Sequence, residues 1–276
     1  MGPSVPGLRG DRARVPCRFR AESLAMRLRL IRHATLLVEL AGRCVLVDPM
    51  LDPAGARPPV PDTANDRRNP LSELPEPAEV LVHRLDGILV THLHADHLDE
   101  TAVDLLPKDV PVLCQPPDEG VLRDRGFADV RPVGDALELD GIAIARTDGR
   151  HGTGEIADTL APVSGFVLSA PGEPTLYVAG DTVWCDEVAA ALAAHEPDVV
   201  VVNAGGACFT SGDPITMTAD DVVAVAAAAP DARVVAVHME AINHCLETRW
   251  DLHQRLRAEG LGDRVTVPED GALVPI

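Results

Sequence analysis

The stretch Thr91-His92-Leu93-His94-Ala95-Asp96-His97 places three imidazoles and one carboxylate within six residues. Neutral imidazole and carboxylate oxygen are usual protein ligands for zinc, iron and manganese. The run before it, Gly87-Ile88-Leu89-Val90-Thr91, is short, apolar and partly β-branched, and reads as a buried strand. The motif therefore occupies the loop at a strand's C-terminal end, where side chains converge on a cleft. In an extended segment His92 and His94 face one side, being two residues apart. Asp96 and His97 follow on the turning loop, within reach of a second ion. The alternative is a surface loop decorated with histidines, but this spacing of donor types points to a metal site.

Away from this stretch, strands and helices alternate from Met26 onward. Strands are expected over Leu28–Ile31, Ala34–Leu40 and Cys44–Val47, the last ending at Asp48-Pro49. Residues 52–78, rich in Pro, Asp, Asn and Arg, read as a long surface loop that either shapes a substrate mouth or is disordered. A helix over Glu100–Leu106, stopped by Pro107, precedes a strand at Val110–Cys114, a helix at Asp118–Arg125 and a strand at Val130–Val133. A hairpin over Ala136–Leu139 and Ile142–Arg146 turns at Asp140-Gly141. Strands at Ser164–Ser169 and Thr175–Ala179 lead to a helix over Cys185–Ala194. The order closes with strand Val199–Val202, helix Ala219–Ala228, strand Val234–Val237 and helix Glu247–Glu259. Two sheets packed face to face with helices outside, a four-layer α/β/β/α sandwich, satisfy this order.

A chain of 276 residues buries a sizeable core in one large α/β domain. A net charge of -19 argues against nucleic acid as the main partner. It leaves room for a small anionic ligand, because two bound divalent ions reverse the local field. Cys17, Cys44, Cys114, Cys185, Cys208 and Cys245 form no C-x-x-C pair and read as buried thiols in a reducing cytoplasm. Residues 1–25 hold Arg9, Arg12, Arg14, Arg18 and Arg20 against Asp11 and Glu22. They contain no secretory apolar segment and read as a flexible arm or an extension ahead of an internal start at Met26. No run is long enough to span a membrane.

Three more segments carry possible ligands. His151 lies in the glycine-rich loop Asp148-Gly149-Arg150-His151-Gly152-Thr153-Gly154; alone, a solvated histidine reads as well. Asp181 follows a strand in Gly180-Asp181-Thr182, where capping the next helix is the ordinary role. His238 ends the strand Val234–Val237, where a packed core histidine is the ordinary role. With the first motif, four segments each present a histidine or aspartate at a strand's exit, a coincidence packing does not explain.

The order His-x-His-x-Asp-His, a distant His, Gly-Asp-Thr and a final His after a strand resembles the metallo-β-lactamase superfamily. The hairpin ending in Leu46-Val47-Asp48-Pro49 resembles that superfamily's opening, and the likeness runs from about Met26 to the C-terminus. Within the superfamily the chain is most similar to the branch of ascorbate-6-phosphate lactonase. The resemblance implies that His92, His94 and His151 bind one metal, that Asp96, His97 and His238 bind a second, and that Asp181 bridges them. It implies two divalent ions, zinc first, with manganese or iron served by the same ligands. Leu98-Asp99 stands where glyoxalase II-like members have glycines, which weakens a thioester-hydrolase reading.

Such a centre makes hydroxide available near neutral pH and stabilises developing negative charge. The leading expectation is hydrolysis of a small ester, lactone or related acyl compound, phosphorylated or not, with Asp96 as acid/base. Phosphodiester hydrolysis is a second reading, and a metal-binding sensor or redox protein without hydrolysis a third. Asn203, Asn243, His244 and Arg249 are candidate substrate contacts, Arg249 through a forked hydrogen bond to an anion. For each of them turn formation or helix capping is the alternative. Trp184 is a candidate pocket wall or core residue, Tyr177 reads as core, and His33 as buried or as support for the site. His83, His195 and His253 read as ordinary histidines.

Overall fold

A computed structural model describes residues 26–276; the expectations for residues 1–25, Cys17 among them, lie outside the described residues. Two seven-stranded sheets form the centre of the fold. In the first, β1 (Arg27–Arg32), β2 (Thr35–Leu40) and β3 (Arg43–Val47) make an antiparallel meander. It continues in parallel through β4 (Gly87–Val90), β5 (Val112–Cys114) and β6 (Val130–Pro132). The second sheet repeats this plan. Strands β7 (Ala136–Leu139), β8 (Ile142–Asp148), β9 (Ser164–Ser169) and β10 (Leu176–Val178) pair antiparallel. Then β11 (Val199–Asn203), β12 (Arg233–Val237) and β13 (Val265–Thr266) add in parallel. The last strand, β14 (Leu273–Val274), returns to pair antiparallel with β1.

The apolar patterning decides the layers. Leu36, Val38 and Leu40 of β2 meet Ile142, Ile144, Phe166 and Leu168 between the sheets. In β4, Leu89 enters that inner layer while Ile88 and Val90 face outward under helices α1 (Ala78–Leu81), α2 (Glu100–Leu105) and α3 (Glu119–Asp124). In β11, Val199 and Val201 face inward. Val200 and Val202 pack outward beneath α5 (Asp186–His195), α6 (Ala219–Ala228) and α7 (Arg249–Glu259). Strands covered on both faces read as unbroken apolar runs, the pattern of parallel sheets flanked by helices. The four-layer α/β/β/α sandwich is therefore the observed architecture. No helix among the described residues is long and apolar enough to cross a membrane.

Departures from the expected elements have local causes. Strand β5 starts at Val112 because Pro111 has no N–H for the ladder, although its carbonyl still accepts from Ile88 N at 2.9 Å. Helix α7 starts at Arg249 because Thr248 takes the N-cap and forms a capping box with Asp251. Strands β13 and β14 and helix α4 (Glu155–Leu160), absent from the sequence reading, are too short to show a period. His33 lies in the turn between β1 and β2, with φ +59°. Residues 52–78 are ordered rather than loose, tied by a bridge between Arg57 and Asn69. No disulfide joins Cys44, Cys114, Cys185, Cys208 and Cys245, the cysteines among the described residues.

Candidate metal centre

Strand direction brings the site together. Two antiparallel steps restore direction, so β1 runs with β3 and β4, and β8 runs with β10, β11 and β12. His33, Asp48 and the 91–97 motif thus leave one edge of the first sheet, and His151, Asp181, Asn203 and His238 the same edge of the second. Gly180 makes the last turn possible: its φ is +70°, and a Cβ there would sit 2.6 Å from the Ser164 carbonyl oxygen.

Two donor groups result. His92, His94, His151 and Asp181 offer ligand atoms within 4.8 Å of one another, as do His33, Asp96, His97 and His238. Asp181 lies between them. Its Oδ2 is 3.3 Å from His97 Nε2, 3.4 Å from His151 Nε2 and 3.9 Å from His92 Nε2, and its Oδ1 is 3.3 Å from His238 Nε2. His238 Nε2 is also 3.7 Å from Asp96 Oδ2.

The far side of four rings is held. His97 Nδ1 donates to Asp48 Oδ2 at 2.8 Å, and His151 Nδ1 donates to the Ile215 carbonyl at 2.8 Å. Thr91 Oγ1 donates to Asp48 Oδ2 and lies 3.0 Å from His92 Nδ1, which donates to it in turn. His238 Nδ1 faces Cys245 Sγ at 3.6 Å. The Nε2 lone pairs are thereby aimed at the shared space, an arrangement typical of metal-ligating histidines.

Two observations fit this donor set to divalent ions. Nε2 of His97 and Nε2 of His238 are buried with no hydrogen-bond partner. His92 Nε2 and His94 Nδ1 stand only 2.9 Å apart, a contact of two ring nitrogens that needs a proton or a cation between or beside them. The electrostatics agree. Burial alone would push the His97 imidazolium down, but Asp181 and Asp48 hold it well above the ordinary histidine range. His238 is likewise opposed by burial yet lifted to about 10 by Asp181. Burial would raise the Asp181 carboxyl, but His238, His97 and His151 hold it well below the carboxylate range. Without metal, protons stand where the ions would compensate the same carboxylates.

The centre forms the floor of a cleft of about 370 Å³ reached through His94, Asp96 and His151. Pro58, Pro59, Pro61, Leu160, Ile215 and Ile242 give its walls an apolar character. His244 also lines it, buried and with Nδ1 unpartnered. Among the described residues Arg57 is the one arginine or lysine in the wall, and its Nε lies 2.7 Å from Asp52 Oδ2. A larger groove of about 750 Å³, between Asp198, Arg233 and Ile276, lies at the N-terminal edge of β11 and β12 and holds none of these residues.

Three expected substrate contacts are corrected. Asn203 points to Asp181, donating from Nδ2 to Oδ1 at 2.7 Å, and the nearby backbone N–H groups of Ala204 and Gly206 are spent on Val237 O and Met217 O. Asn243 binds the 60–69 segment instead: its Oδ1 accepts from Val60 N and Asn69 Nδ2, and its Nδ2 donates to Thr63 Oγ1. Arg249 is committed to Glu240, Asp270 and the Pro268 carbonyl. Tyr177 is fully buried and Trp184 packs against the outer core of the second sheet. Asp99 caps α2, accepting from Ala102 N and Asp52 N, and burial raises its carboxyl to about 6. His83, His195 and His253 belong to neither donor group.

The sequence reading missed Asp48 as a partner of the centre, although it too is an acidic residue at a strand's exit. The decisive comparison covers most of the chain: the Beta-lactamase superfamily domain matches residues 43–239. The chain belongs to the metallo-β-lactamase superfamily. Within the superfamily it is similar to the UPF0173 protein YddR of Bacillus subtilis (strain 168), 36% identical over 89% of this chain and 98% of that one. A UPF0173 metal-dependent hydrolase of Azorhizobium caulinodans is 29% identical over 68% of this chain and 76% of its own. Among solved structures, one described as a possible metal-dependent hydrolase from Veillonella parvula superposes with TM-score 0.88 at 33% identity, covering 91% of this chain and 99% of that one. An isothiocyanate hydrolase from Delia radicum gut bacteria superposes with TM-score 0.86 at 36% identity over the same shares. This superfamily member is a metal-dependent hydrolase of the UPF0173 family; the likeness to the ascorbate-6-phosphate lactonase branch finds no counterpart among these relatives.

Proposed function

We propose that this protein hydrolyses a small, uncharged electrophile with an apolar tail, an isothiocyanate or an acyl compound such as an ester or lactone, at a binuclear metal centre. The observation that carries the reading is Asp181, within 3.9 Å of four imidazole Nε2 atoms on the floor of an apolar cleft. Two divalent ions bound there, zinc first, would supply a nucleophilic water at neutral pH and polarise the carbon under attack. His92, His94 and His151 would hold one, Asp96, His97 and His238 the other, and Asp181 both.

Asp96 both lines the cleft and belongs to the second donor group. Burial opposes its charge, but the nearby His238 and the hydrogen bond from His33 hold the carboxyl well below its ordinary range. Held ionised, it can accept a proton from the attacking water and pass it to the leaving atom. His244, held neutral by burial, offers its unpartnered Nδ1 to a polar atom of the substrate. With Arg57 paired to Asp52 and Arg249 committed elsewhere, the cleft favours a neutral tail over a phosphate. That disfavours both a phosphorylated substrate and phosphodiesters. The related isothiocyanate hydrolase brings R–N=C=S into this class; water added across it yields R–NH2 and O=C=S.

Elemental analysis of the purified protein, with a panel of isothiocyanates, lactones, esters, thioesters and phosphodiesters on the same preparation, tests the reading. Close to two ions per chain, and chelator-sensitive turnover of a neutral apolar substrate, are expected. Turnover confined to phosphodiesters, or redox-active iron with a silent panel, would overturn it.

A further inference from the structure

His33 is fully buried and lies outside the motifs that mark the centre, yet it touches the second donor group at three points. Its Nε2 is 3.2 Å from Asp96 Oδ2. Its ring lies against the His238 ring with centroids 3.6 Å apart and planes tilted by 34°. Its backbone carbonyl accepts from His238 N at 3.0 Å. Both residues hold positive φ, +59° at His33 and +69° at His238, a region that β-carbon sterics disfavour outside glycine. Two such turns, one from each sheet, meet through this backbone bond.

Distance alone would admit His33 as a ligand, since its ring nitrogen falls within the second donor group. Its other nitrogen argues otherwise. A ligating imidazole gives its lone pair to the ion from one nitrogen and carries its proton on the other, where it needs an acceptor. His97 has Asp48 there, His151 has the Ile215 carbonyl, and His92 has Thr91. His33 Nδ1 is buried with no partner at all. A proton on Nδ1 would be an orphaned donor, whereas a proton on Nε2 has Asp96 Oδ2 to donate to.

We infer that His33 is a positioning residue of the second donor group: its Nε2–H holds the Asp96 carboxylate, its ring and carbonyl hold His238, and it binds no ion itself. This rests on the binuclear reading of the site, but on no particular substrate.

Long-range proton–nitrogen NMR of the zinc-loaded wild type tests it without a variant. The expected spectrum shows His33 as the Nε2–H tautomer, while the ligating histidines show metal-bound nitrogens. His33→Asn, which tolerates the positive φ, and His33→Gly, which relieves it, give the second arm. Both should still bind two cobalt(II) ions per chain with an unaltered ligand-field spectrum. With a substrate found by the hydrolysis panel, kcat should fall about 10–100-fold and KM hold. A metal-bound Nε2 at His33, or saturation at one cobalt ion in the folded variants, would overturn the inference. A silent hydrolysis panel would count against the proposed substrate class and leave the tautomer and metal arms readable. Wild-type protein that takes up no second ion under saturating metal would instead defeat the binuclear reading.

Discussion

His97 Nδ1 lies 2.8 Å from Asp48 Oδ2, and neither side chain is more than 1% exposed. Asp48 also accepts from the backbone N–H and the hydroxyl of Thr91, so one carboxylate orients His97 directly and His92 through Thr91. Replacing Asp48 by Asn keeps an acceptor for Thr91 but removes the charge that raises the basicity of His97. The expected result is metal binding weakened about 10–100-fold, read by chelator competition. Unchanged affinity would contradict the orienting role.

Metal uptake should release protons. In the metal-free protein Asp181 holds His238 charged up to about 10 and His97 well above its ordinary range. An ion must displace both protons, so its apparent affinity rises with pH from 6 to 9, with a slope that approaches about two protons per chain. Calorimetry in buffers of different ionisation enthalpy measures this release. Metal-free stability takes the opposite sign: a raised imidazole stabilises fully below the unfolded value and loses its contribution as pH rises through about 10. A metal-free melting temperature that increased between pH 7 and 10 would contradict the assignment.

Asp96→Asn removes the base while sparing the carboxamide's size. We expect kcat to fall about 10²–10⁴-fold even where metal is retained. Full activity in that variant would end the acid/base assignment.

Asn243 carries the cleft wall rather than the substrate. Asn243→Ala strands the half-buried Val60 N–H and the buried Asn69 amide, so stability should fall by about 1–3 kcal/mol in denaturant titrations. With the 58–61 wall loosened, KM should rise more than kcat falls.

Arg249→Leu separates a structural from a binding role. It leaves Glu240 and Asp270 without their partner, and stability should drop by about 1–3 kcal/mol. The preference between neutral and anionic substrates should not change; a selective loss of anionic substrates would restore Arg249 to the substrate site.

The metal motif was legible because its donors are local: His92, His94, Asp96 and His97 share one strand exit, and two-residue spacing alone puts the first pair on one side. The sandwich was legible because sheets buried on both faces leave unbroken runs such as Val199–Val202 between helical segments. Side-chain partnerships were not, because they join distant segments. Asn243 meets Val60 across 183 positions, His33 meets Asp96 across 63, and Asp48 meets His97 across 49. An asparagine or arginine near a strand exit has the same local signature whether it faces a substrate or a neighbouring loop. By itself the sequence determined the layered fold and the donor types at the strand exits. Only the tertiary structure set Asp181 among four imidazoles, tied Asn203 to Asp181 and Asn243 and Arg249 to neighbouring loops, and brought His33 onto Asp96. The physical reason is that ligand chemistry and periodicity are local, whereas a buried polar atom takes whichever partner the packing of two sheets brings to it.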